Sequence, residues 1–159
     1  MTTLERCATV PQILLFEPRH LFEIEAREFD RHGLMAYGRE HLEQVAMICA
    51  KQPAYTAFTE DGRIVGCAGV IVQRQGIADG WAVTSALITD YGIWSTRIVK
   101  SMLQEIMCSL NLRRVQISVD PQNVAAQRWA KALGFQYEGT MRGFGVNGEP
   151  YDLYAKVMP

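Results

Sequence analysis

At 159 residues the chain is the size of one domain and long enough to bury a core. Hydrophobic residues make up 48% and charged residues 21%, and the formal net charge is −1 with both signs spread along the chain, so electrostatics alone gives no argument for a nucleic-acid or membrane footprint. The four cysteines, Cys7, Cys49, Cys67 and Cys108, have neither CxxC nor metal-type spacing, which argues against a disulfide framework and for a reduced, intracellular setting.

In chain order, Gln12 to Glu17 is predicted as a strand. Its apolar run Ile13–Phe16 is too short for a signal-peptide core or a membrane span. "RHLFEIEAREFDRHG" is predicted as one helix ending at Gly33, with both charge signs on a wet outer face. "REHLEQVAMICAKQ" is a second helix with Leu42, Val45, Ala46 and Cys49 on one side, stopped by Pro53. His20, His32 and His41 fall in this region and read as surface histidines, with no third ligand spaced to make a metal site.

"AYTAFTEDGRIVGCAGVIVQ" reads as two strands joined at Asp61-Gly62, where the glycine tolerates positive φ. "GWAVTSALIT" reads as a fourth, central strand, because Ala86, Leu87 and Ile88 are apolar on both faces. From Trp94 to about Asn111, Ile98, Val99, Met102, Leu103, Ile106, Met107 and Leu110 form a broad apolar stripe and predict the longest helix. "RRVQISVD" is a fifth strand, with Val115, Ile117 and Val119 on one face. Cys49, Cys67 and Cys108 sit in apolar runs and are expected buried.

"PQNVAAQRWAKALG" supplies the last helix, with Pro121 at its first turn, Asp120 or Asn123 as cap and Gly134 as stop. "FQYEGTMRGFGVNGEPYDLYAKV" is a hairpin, with Asn147-Gly148 signalling a type I′ turn. The order is β-α-α-β-β-β-α-β-α-β-β. It implies a single α/β domain over 1–159, a mixed sheet with helices on both faces.

With that order, Asn123, Ala126, Leu133-Gly134-Phe135, Glu138-Gly139, Arg142, Gly148, Asp152 and Tyr154 resemble the GNAT (GCN5-related N-acetyltransferase) family. They are most similar to its branch acting on protein N-termini and small amines. The resemblance implies the acyl-CoA N-acyltransferase fold, acetyl-CoA as donor and an amine acceptor. It implies that a splayed strand, Leu87, Ile88 and Thr89 here, binds the pantetheine arm opposite Ser118 to Asp120. The Trp94, Ser95 and Thr96 helix end would meet the phosphates, with Arg97 or Lys100 as cations. Asn123, Ala126 and Trp129 would line the site from the following helix.

The chain departs from the family at two places. Where the family has a glycine-rich phosphate loop, whose amides wrap an anion, this chain has "ITDYGIWST" with only Gly92. Where many members place a tyrosine acid, this chain has Ala130. The candidates left for proton transfer are Asp120, Ser85 and Tyr154, each with a structural role open to it as cap, strand residue or sheet packing.

Trp81, Val83, Thr84 and Ser85, with the glycine-poor turn and long helix after them, also resemble a small group of GNAT-shaped proteins of short-tailed bacteriophages. That likeness implies a different function, a catalytically silent scaffold among virion components. The two readings place the protein in the cytoplasm or, if phage-encoded, in a virion.

Overall fold

A computed structural model describes residues 9–159. Cys7 lies outside the described residues. Among them, seven strands form one sheet in the order β1-β2-β3-β4-β5-β7-β6. They are β1 (Gln12–Leu15), β2 (Ala54–Phe58), β3 (Ile64–Arg74), β4 (Ile77–Thr84), β5 (Arg114–Val119), β6 (Gln136–Met141) and β7 (Tyr151–Val157). The β4–β5 pair is parallel and the other ladders are antiparallel. The mixed α/β architecture expected from the order of elements is the one found.

The first predicted helix is two. α1 (His20–Glu23) breaks at Ile24, which is extended, and α2 (Glu28–Ala36) starts after a β-bridge between Ala26 and Ser85. The chain leaves the helix to bond the end of β4, where Arg27 N donates to Thr84 O at 2.9 Å. Gly33 does not stop α2. The turn comes at Gly38, whose φ of +72° caps the start of α3 (Arg39–Ala50).

His20 is not a surface residue. It is 1% exposed, and its Nδ1 accepts from Glu17 N at 3.0 Å and lies 2.9 Å from Thr56 Oγ1. An Nδ1 that accepts a backbone N–H carries no proton, so the ring is neutral. Burial first, then Arg19, pushes its pKa down. Cys49 and Cys67 are buried as expected, and burial pushes both thiols up to about 11. Cys108 is exposed instead, on the outer side of its helix.

Two apolar clusters sandwich the sheet. α1 to α3 cover one face with Leu21, Leu42, Ala46 and Cys49 against Ile64, Cys67 and Val83. α4 (Gly92–Ser109) and α5 (Val124–Ala132) cover the other with Leu103, Met107 and Ala130 against Val70, Ala78, Val115 and Val119. Leu110 falls outside the expected stripe and is 42% exposed, because α4 ends before it.

α5 has the predicted ends. Of the two expected caps Asn123 serves, accepting from Ala126 N at 3.1 Å, and Pro121 lies before the helix instead of in its first turn. Gly134 at φ +95° lets Phe135 N reach Ala130 O and Gly134 N reach Lys131 O, which closes the helix. The β6–β7 turn is not type I′, which needs positive φ at two central residues. Among non-glycine residues described, only Asn111 has positive φ. The turn spans Gly145 to Gly148, and Gly148 alone takes the left-handed conformation.

Candidate functional site

The parallel ladder between β4 and β5 is only three pairs long and ends at Asp79 and Gln116. Beyond it β4 stays with β3 as far as Thr84, and β5 stays with β7 as far as Val119. The two strands therefore part, and the sheet opens. Gly80 stands at the vertex. A Cβ there would come within 3.0 Å of Ile117 Cγ2 and 3.3 Å of Val115 Cγ1, so a larger residue would crowd β5 at this point.

Backbone alternation decides which groups face the opening. Ser85 N donates to Val65 O, toward β3, whereas Thr84 turns both its backbone groups the other way. Counting back by two, Ala82 turns its N–H and C=O into the opening, and Ser118 does so from β5.

At the outer end the opening is shut by α2. The Asp30 carboxylate accepts from both Thr84 N and Thr84 Oγ1, each at 2.8 Å. No sequence signal marks Asp30, because its partner lies 54 residues away.

The segment after β4 corrects the sequence reading. Ala86–Tyr91 is a 3₁₀-helix, not the end of a strand. Ser85, 3% exposed, donates to Ile64 O at 2.7 Å, with Val65 O 3.1 Å away, and this anchors the point where the chain leaves the sheet. Leu87, Ile88 and Thr89 thus stand on a helical turn and offer no strand edge. Tyr91, at φ −121° and ψ 23°, leaves the helical region before α4, and Gly92 resumes it.

At the start of α4, Thr96 Oγ1 donates to Gly92 O at 2.8 Å and accepts from Trp129 Nε1 at 3.1 Å. α4 and α5 are thereby tied across the site, and Asn123 and Ala126 come with α5. Trp94 is half-buried beside Ile93, which is 75% exposed, and Arg97 and Ile98 complete an apolar recess there. Ser95 is 2% exposed, and its hydroxyl has no hydrogen-bond partner.

The candidates for proton transfer separate. Ser85 spends its hydroxyl proton on β3. Tyr154 is 3% exposed in the core under α5, its ring edge-on to Tyr137, and burial raises its pKa. Asp120 lies on the rim where β5 ends, half-buried, accepting from Gln122 N at 2.9 Å. Beside it Tyr151 is held above the usual phenol range by burial, then by Asp120 and Glu149, with a smaller effect from Tyr37, just past the end of α2.

Residues 19–135 match the acetyltransferase (GNAT) family. The chain belongs to that family. No curated protein matches the sequence. Among solved structures it is similar to the ribosomal-protein-S5-alanine acetyltransferase from Vibrio fischeri, at 16% identity over 94% of this chain and 93% of that one, TM-score 0.70. It is similar also to an acetyltransferase of GNAT family from Streptococcus pneumoniae, at 22% identity over 94% and 99%, TM-score 0.67. A variant of the spermidine N-acetyltransferase from Vibrio cholerae superposes with TM-score 0.67 at 13% identity over 92% and 94%. At these identities the likeness is one of fold. Nothing in these matches supports the likeness to virion proteins or the N-terminal-acetylating branch.

GNAT acetyltransferases generally use acetyl-CoA, and its two halves fare differently here. The opening, with the backbone groups of Ala82 and Ser118 and the partnerless Ser95 hydroxyl, fits an amide-bearing pantetheine arm. The α4 end, entered from a 3₁₀ turn and flanked by Asp90 and exposed Ile93, has no glycine-rich loop to wrap a diphosphate. Among the described residues, no group of three or more His, Cys, Asp or Glu is placed to hold a metal, and no helix is long and apolar enough to cross a membrane.

Proposed function

We propose that this protein transfers the acetyl group of acetyl-CoA to an amine. The observation that carries the reading is the parting of β4 and β5 after Asp79 and Gln116. It leaves strand-edge donors and acceptors in the interior of a sheet, where unpaired backbone groups are costly unless a ligand meets them. Acetyl-CoA would supply an acyl group activated as a thioester.

The chain's own part is to hold the arm and accept a proton. Ala82 and Ser118 bond the arm's amides. Ser95, Thr96, Asn123, Ala126 and Trp129 wall it on the α4–α5 side. Leu87, Ile88, Thr89 and Trp94 stand at its outer end, and Arg97 or Lys100 is the cation for the phosphates. Asp120 is the base candidate on the rim, taking a proton from the acceptor ammonium, since a neutral nitrogen is needed for attack. The acceptor, a peptide N-terminus or a small amine, would enter between Tyr37 and Tyr151. The reaction belongs in the cytoplasm.

The competing reading is a silent GNAT scaffold that binds partners, and the 3₁₀ turn in place of a glycine loop is the observation on its side. Amide NMR on labelled protein separates the two. Acetyl-CoA is expected to shift Ala82, Ser95 and Ser118. Unmoved amides at millimolar ligand, or shifts confined to another face, would sink the enzyme reading.

A further inference from the structure

We propose that the outward face of α4 and α5 docks an acidic acyl-carrier protein, whose arm delivers an acyl group to the opened sheet as acetyl-CoA would. The inference rests on the acyl-transfer reading and goes past it, by naming a protein that brings the acyl group.

The net charge of −1 hides two unlike helical faces. α1, α2 and α3 carry Glu23, Glu28, Asp30, Glu40 and Glu43 against Arg31 and Arg39. α4 and α5 carry Arg97, Lys100, Arg128 and Lys131 against Glu105 alone. These four cations are exposed, and among the described residues none of them is in an ion pair. Cations gathered on one side without carboxylates make a positive field that draws an anionic partner.

Position ties that field to the opening. α4 follows β4 and α5 follows β5, so both helices start at the end where those strands have parted. The bond from Trp129 Nε1 to Thr96 Oγ1 holds them side by side near those starts. Arg97 follows Thr96 and Arg128 precedes Trp129, so a cation stands on each helix next to the tie. Two apolar side chains lie bare at the same starts, Ile93 at 75% exposure and Val124 at 52%. An apolar centre with a charged rim is the composition of a protein interface, and a small anion has no use for the apolar part.

Two demands select the partner. It must be acidic, and it must place a pantetheine thioester between β4 and β5. An acidic carrier protein meets both. Its arm is attached through a single phosphate, not a diphosphate, which suits a helix start without a glycine-rich loop. In the transfer the acceptor nitrogen, relieved of a proton by Asp120, attacks the thioester carbon. The C–N bond forms, the C–S bond breaks, and the nitrogen's second proton ends on the departing arm thiolate.

The test is calorimetric titration of the full chain with a bacterial acyl carrier protein bearing an acetylated arm, with the same carrier lacking its arm, and with acetyl-CoA. The acetylated carrier is expected to bind at least about tenfold more tightly than the armless one, and to weaken as salt is raised. The double variant Arg128→Glu, Lys131→Glu should keep its unfolding midpoint and its affinity for acetyl-CoA, yet lose at least about tenfold in affinity for the carrier. Carrier binding untouched by the two reversals overturns the inference, as does an armless carrier that binds as tightly as the acetylated one. So does a single-stranded RNA that binds as tightly as the carrier. Binding of acetyl-CoA without binding of the carrier overturns the inference and leaves acyl transfer standing. Failure of both donors to bind overturns the inference together with the reading beneath it.

Discussion

Asp30 and Thr84 are joined twice: one carboxylate oxygen accepts from the threonine's backbone N–H and from its hydroxyl, each at 2.8 Å. The pair fixes α2 to the last residue of β4, on the edge where the sheet has opened. It also sets how much of that edge remains for a ligand, because Thr84 is consumed and Ala82 is not.

Replacing Asp30 by Ala strands the Thr84 N–H and removes a charge-assisted pair, at a cost of about 1 to 3 kcal/mol. Asp30→Asn keeps an accepting oxygen and should lose less than half of that. Urea unfolding of the three proteins checks the order. Equal midpoints for the parent and Asp30→Ala would refute the clamp.

His20 links stability to pH. Its pKa is lowered in the folded chain, chiefly by burial. Between the folded value and the unfolded value near 6.5, the unfolded chain carries more protons, so stability rises with pH there. The contribution is present above about pH 6.5 and fades as pH falls through the folded pKa, by at most about 1.4 kcal/mol per pH unit. His20→Asn, which keeps an acceptor for Glu17 N, should unfold with a flatter pH dependence just below about pH 6.5. An unchanged slope would mean that His20 titrates normally.

Tyr151 reports on the rim. Burial is the first cause of its raised pKa and Asp120 the second. Asp120→Asn keeps an oxygen for Gln122 N but removes the charge, so the phenol should ionise at lower pH. Ultraviolet titration of the parent and the variant, each against its Tyr151→Phe counterpart, measures this. A phenol unmoved by Asp120→Asn would place the carboxylate too far away to act on the rim.

Much of the fold was legible because it is local. The stripe of α4, the Asn123 cap and the Gly134 stop are written within one or two helical turns of each other. What was not legible depends on partners distant in sequence. Ala86 to Ile88 look like strand because they are apolar, yet the chain turns at Ser85, whose hydroxyl bonds carbonyls 20 and 21 residues back. His20 looks solvated until Thr56 is found 36 residues away. The opening itself was foreseen, but it was set on Leu87 to Thr89. It begins at Gly80, against Ile117 of β5, and no local pattern marks that residue.

The central claim is that the opened sheet is a donor site in use, and titration of the purified protein with acetyl-CoA followed by calorimetry tests it most directly. The account predicts saturable binding at one site in the micromolar range, about 8 kcal/mol of binding free energy, and lost when Gly80→Val forces β5 away from the vertex. No heat and no thermal stabilisation at millimolar acetyl-CoA would contradict it.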